Sequence, residues 1–234
     1  MDSIDGIEAF VKRDCITNKL YDENEYVVVN KKLFLLNLAL PTLVFGICLI
    51  VVFLSSALEE QLQLKKLGEI CIPFVITVAL DAILYSQLKS ESNRVRPYLE
   101  RVSMSVMIYC ALAGILGLGL FFEYAVIVVL IGATSVFVVI ATLIIERQKI
   151  YNGKYNGMKD SEDGRLIRVS RLINSHKYIL LTIITAVAVG VNKAGKLIII
   201  AIVLSVATAV IIWIITNYVM QYYYVKKYQI LYFE

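Results

Sequence analysis

Long apolar runs alternate with short polar ones along most of this chain, and the runs have the length of membrane-crossing helices. A helix needs roughly 20 mostly apolar residues to cross a hydrocarbon core about 30 Å thick. The pattern predicts an all-α, polytopic membrane protein with about six transmembrane helices. The expected spans are Leu33 to Leu54, Ile70 to Leu88, Val102 to Phe121, Tyr124 to Ile145, Tyr178 to Val191 and Leu197 to Val219. The fifth is short; it starts earlier or sits in locally thin bilayer. Five or seven crossings are the alternatives that this span leaves open.

The polar segments divide into an N-terminal stretch (1–32), connectors and a tail (220–234). Leu58 to Glu69, Phe122–Glu123 and Asn192 to Lys196 are short, and they read as outer loops closing three hairpins. Gln87 to Arg101 and the connector 146–177 are longer and basic. With six crossings, 19 of the 23 Lys and Arg residues fall on one side of the bilayer, leaving Lys65, Lys66, Lys193 and Lys196 on the other. The basic side is expected in the cytoplasm, so both termini are expected there, in a plasma-membrane protein. An odd number of crossings breaks this partition.

Within the N-terminal stretch, Asp5 and Glu8 resemble a capping box. Ile4, Ile7, Val11 and Cys15, with Phe10 beside them, share one helical face, which predicts a short amphipathic helix at the membrane surface. Residues 25–29 and 228–233 read as short strands or as continuations of the neighbouring helices. The Asn152-Gly153 and Asn156-Gly157 pairs predict turns. Beyond them Arg165, Arg168 and Arg171 repeat every three residues, as in a basic helix on lipid or an ordinary positive-inside flank. Trp213 and the tyrosines from Tyr218 to Tyr232 suit the headgroup level.

Composition agrees: 59% of residues are hydrophobic and 18% charged. The net charge of +4 does not point to nucleic acid, because the basic excess flanks the apolar blocks. The first block is too long for a cleavable signal and is expected to stay as an anchor. Cys15, Cys48, Cys71 and Cys110 form no CxxC pair and are expected to be free, buried thiols. His176 is the only histidine, and there is no Walker motif, no GxSxG and no potassium-filter sequence. The span interiors lack Lys and Arg. An enzyme, a resident metal or cofactor, and a voltage sensor are therefore not expected.

Asp81 is the sharpest polar residue, set in an apolar stretch of the second span. A carboxylate there costs roughly 2.5 kcal/mol or more, so it faces the bundle interior or water, holds a proton, or pairs with a cation such as Lys89. Pro41 and Pro73 disturb the first and second spans. Asn37 with Asp81 is the expected polar pocket. Small residues at spacing four (Ala113 and Gly117; Thr182, Ala186 and Gly190; Ala201, Ser205 and Ala209) predict close helix packing.

Two functions fit. One is a small permease or the membrane subunit of an export complex driven by an ATP-binding partner. Six helices in 234 residues with cytoplasmic termini resembles the membrane half of ABC-2-type exporters, including bacteriocin-export and self-protection permeases. No motif carries that resemblance. The short loop between the fifth and sixth spans and the long connector before them depart from it. The other is a non-catalytic immunity protein against a membrane-active toxin, or a membrane scaffold.

Overall fold

The computed structural model describes residues 4–16, 31–54, 60–92, 95–120, 125–155 and 193–229, and their regular elements are all α-helices. These are α1 (Ile4–Val11), α2 (Lys31–Leu54), α3 (Glu60–Ser90), α4 (Arg96–Leu120), α5 (Ala125–Tyr151) and α6 (Lys193–Tyr228). Three of them carry a stretch long and apolar enough to cross a membrane: Lys32–Ile50 in α2, Cys71–Ser90 in α3 and Ser205–Tyr228 in α6. The expected fifth span, the connector with Arg165, Arg168 and Arg171, and the segments 25–29 and 230–233 lie outside the described residues.

The helices outrun the apolar blocks. α3 starts at Glu60, inside the expected first outer loop, and α6 runs nine residues past Val219 into the expected tail. Hydropathy marks only the part that lipid surrounds. Hydrogen bonding along the backbone continues for as long as side chains favour it, and Glu, Gln, Leu and Lys at residues 60–66 are all good helix formers.

Where the helices do end, local chemistry explains it. Arg96 reaches back to the end of α3, donating from Nε to the Leu88 carbonyl at 3.0 Å and from Nη2 to that of Lys89 at 3.3 Å. Those are carbonyls the helix itself leaves open. Pro97 then occupies the first turn of α4, where its missing N–H is not needed. At the end of α5, Lys154 N–H bonds the Lys149 carbonyl and Gly153 N–H that of Ile150. This pair of bonds is a Schellman closure, and Gly153 takes its left-handed position with φ of 63°. The Asn152-Gly153 turn expected from sequence is this stop.

α2, α3 and α4 pack on one another, and α6 lies between α4 and α5. Among the described residues the bundle is apolar outside, and its interior mixes apolar clusters with polar side chains. Leu35, Leu36, Leu43, Ile72, Val75, Val136 and Phe137 are exposed, whereas Asn37, Thr77, Asp81, Ser103, Thr142, Thr208 and Asn217 are buried. A water-soluble monomer rarely exposes so much contiguous large apolar surface. Lipid tails are as apolar as leucine, so they do not penalise the outer surface, and polar side chains gather where other protein groups can satisfy them.

At one end of the bundle the exterior changes character, because α1 docks there against α5 and α6. Ile7, Phe10 and Val11 are buried in a cluster with Tyr98, Ile150, Tyr155, Met220, Tyr224 and Val225. The apolar face expected to rest on lipid is thus covered by protein, while Ile4 stays exposed. Asp5 and Glu8 both lie inside α1, and Glu8 pairs with Lys12 instead of closing a capping box.

Candidate functional site

The junction of α2, α3 and α4 holds a buried carboxyl that is not fully satisfied by the described residues. Asn37 lies six residues into α2, Ser103 seven into α4 and Asp81 nine before the end of α3. At about 1.5 Å per residue, these offsets bring the three side chains to a common depth. Asn37 Nδ2 donates to Ser103 Oγ at 3.1 Å. The Asp81 carboxyl sits beside the pair and is 0% exposed. Among the described residues neither of its oxygens accepts a hydrogen bond at normal length, and Asn37 and Ser103 are its polar neighbours. Lys89, the cation within reach in sequence, is exposed two turns further along α3.

Pro73 lies two turns before Asp81 on the same helix. Thr77, 2% exposed, donates from Oγ1 to the Pro73 carbonyl at 2.8 Å. This back-bonding bends helices, so the proline and threonine together shape the turn that presents Asp81. On the other side of Asn37 a groove of about 190 Å³ opens between α2 and α4, lined by Leu36, Leu40, Met104, Met107 and Ile108. Asn37 is its polar wall. An apolar groove with one amide, next to a buried carboxyl with no counter-charge among the described residues, can hold or exchange a proton or a small cation.

A second polar assembly ties the end that carries α1. Gln221 of α6, fully buried, donates from Nε2 to the carbonyls of Phe10 at 3.0 Å and Arg13 at 2.5 Å. These are at the open end of α1, and Tyr98 of α4 adds a bond from its hydroxyl to the Val11 carbonyl at 3.4 Å. Asp14 follows: it accepts from the Tyr218 hydroxyl at 3.0 Å and lies 3.7 Å from Arg101 Nε. Just beyond α3, Glu91 accepts from the Tyr222 hydroxyl at 2.8 Å and from Lys226 at 2.5 Å. On α5, Glu146 is 1% exposed, with the Tyr155 hydroxyl and Lys149 as partners. The layer links α1, α3, α4 and α6 by hydrogen bonds at one level.

Electrostatics follow from these contacts. The hydrogen bond from Lys226 holds Glu91 below the usual carboxylate range, and Tyr222 lowers it further. Burial, with Asp14 adjacent, pushes the Cys15 thiol up. Such a thiol stays protonated and unreactive at neutral pH. Cys48 is buried, but Cys71, expected to be buried, is exposed on the apolar exterior. Among the described residues no group of His, Cys, Asp or Glu is placed to hold a metal.

The structure brings Asn37 and Asp81 together. Ser205 and Ala209 are half-buried on α6, flanking the buried Thr208. Ala113 and Gly117 lie on α4 and Ala201 on α6, with side chains outside the described set, and Thr182, Ala186 and Gly190 lie outside it entirely. Three residues that the sequence reading did not single out prove central: Ser103, Asp14 and Gln221. Ser103 carries no sequence signal, being one serine in a run of mixed character. Asn217 and Gln221 do, as amides four apart on one face of an otherwise apolar and aromatic helix. Comparison with protein-family models, with curated proteins and with solved structures gave no match.

Proposed function

We propose that this chain is a small permease or the membrane subunit of an export complex, working through the Asp81 carboxyl. In this reading α4, α5 and a helix over 178–191 also cross the bilayer, which gives six spans. The α1 end and both termini face the cytoplasm of a cell whose plasma membrane holds the protein. The partition of the basic residues supports that direction. Energy comes from an ATP-binding subunit docking on the cytoplasmic side, and the chain itself catalyses no covalent step.

The observation that carries the reading is the Asp81 carboxyl, buried where three helices meet, with the neutral Asn37 and Ser103 beside it and no cation paired with it among the described residues. A purely structural polar residue in lipid normally finds a partner on a neighbouring helix. An acid whose described neighbours are neutral, Asn37 and Ser103, suits a site that a mobile cation or proton visits. Asn37 and Ser103 then orient it, and Pro73, which removes a backbone hydrogen bond of α3, gives that helix a place to move.

The test is purification of the tagged full chain from its own host's membranes, followed by reconstitution of what co-purifies. An ATP-binding subunit in stoichiometric amount, with ATP-dependent export or proton flux that Asp81→Asn abolishes, is the expected result. A chain that purifies alone, and whose Asp81→Asn variant still protects cells from a membrane-active toxin, would instead establish the immunity role.

A further inference from the structure

The last turns of α6 carry a surface that the polar site does not use. The apolar run Leu197 to Val219 spans 23 residues, about 34 Å at 1.5 Å per residue, against a hydrocarbon core of about 30 Å. With that run as the sixth span of the proposed topology, on which this inference rests, residues beyond Val219 stand at the headgroup level. There Val219, Tyr222, Tyr223, Lys226 and Lys227 line a groove of about 350 Å³. It is graded along the helix, with an apolar side chain at its membrane end, phenol rings in the middle and two ammonium groups at its far end.

The two lysines are not equivalent. Lys226 is engaged by Glu91 and the Tyr222 ring. Lys227 stands over the rings of Tyr223 and Tyr228, at 5.5 Å and 5.2 Å from their centroids, and among the described residues no carboxylate pairs with it. Two aromatic faces hold the ammonium in place without neutralising it. A fixed cation at headgroup depth, above tyrosine hydroxyls and an apolar wall, matches an acyl chain ending in an anionic phosphodiester. We infer that this groove is a binding site for an anionic phospholipid, its phosphate on Lys227 and its acyl chain along Val219. Zwitterionic lipid fits the same wall but brings its own cation to compete with Lys227.

The test uses native mass spectrometry of the purified full chain titrated with phosphatidylglycerol, phosphatidylcholine or inorganic phosphate. Phosphatidylglycerol is expected to be retained over phosphatidylcholine by about fivefold, one lysine's share of attraction to an anionic surface. Lys227→Gln should remove the preference, and Lys227→Arg should keep it. Lys89→Gln, an exposed lysine elsewhere, should leave it intact. Equal retention of the two lipids by the unaltered chain overturns the inference, and so does a preference that survives in Lys227→Gln. Displacement of phosphatidylglycerol by stoichiometric inorganic phosphate overturns the assignment to lipid. If Lys227→Gln does not fold, Tyr223→Leu removes one ring from beneath the ammonium. It should weaken the preference, and an unchanged preference there counts against the site.

Discussion

Asp81 is where physical chemistry and stability pull in opposite directions. A buried carboxyl whose neighbouring donors make no well-formed hydrogen bond to it forfeits part of what it made in water, a loss of roughly 1–3 kcal/mol. Asp81→Asn keeps the shape, cannot ionise and adds a donor toward Ser103. It is expected to raise the melting temperature of the detergent-solubilised protein or leave it unchanged, by up to about 3 kcal/mol of stability. Asn37→Leu removes the donor to Ser103 Oγ and should lower it. Thermal unfolding of both variants decides the matter. If Asp81→Asn lowers the midpoint as much as Asn37→Leu does, the acid belongs to the scaffold and the functional argument fails. The same comparison explains why Ser103 escaped notice in the sequence. A lone serine is common in membrane helices, and only its meeting with Asn37 gives it a role.

Among the helices, α1 changed most between expectation and structure. Its apolar face was legible from the spacing of Ile4, Ile7, Phe10 and Val11, yet a lipid surface and a protein groove select the same pattern. What decides between them is Gln221, 211 residues from Phe10, which satisfies the carbonyls at the end of α1. The Glu91 contact ties α3 to α6 at the same level and predicts a pH dependence. Because Glu91 titrates below its ordinary value of about 4.3 in the folded protein, its contact adds stability at neutral pH. That contribution is lost as the pH falls through the depressed folded-state value. Unfolding midpoints measured between about pH 6 and pH 3 should fall less steeply for Glu91→Gln than for the unaltered protein. Parallel curves would show that the contact is too exposed to matter, as surface pairs often are.

For the protein as assembled in the bilayer, the direction of insertion is the quantity to measure. Single cysteines placed at Ser92 and at Ala194, on a background without the four native thiols, flank opposite ends of the proposed spans. A membrane-impermeant maleimide applied to intact cells should label the Ala194 position and leave the Ser92 position unmodified until the cells are opened. The reverse pattern would invert the proposed orientation. Equal labelling of both positions from outside would exclude an odd number of crossings between them, and with it the three spans proposed there. The exposed leucines, isoleucines and valines of α2, α3 and α5 supply the wide apolar band that this topology needs.

Much of this arrangement follows from local pattern. Span length, helix class, the α5 stop at Asn152-Gly153 and the amphipathic character of α1 are set by hydropathy, turn chemistry and 3.6-residue periodicity, which act over a few residues. Asp81 was likewise visible alone, because a charge in an apolar run is conspicuous without any partner. Its surroundings were not. The pairing of Asn37 with Ser103 bridges 66 residues, and that of Tyr218 with Asp14 bridges 204. Lipid applies the same apolar pressure to every helix face, so hydropathy says how many residues lie in the bilayer and nothing about which faces meet. Side-chain shape and hydrogen bonding between helices make that choice, and they exist only once the bundle has packed.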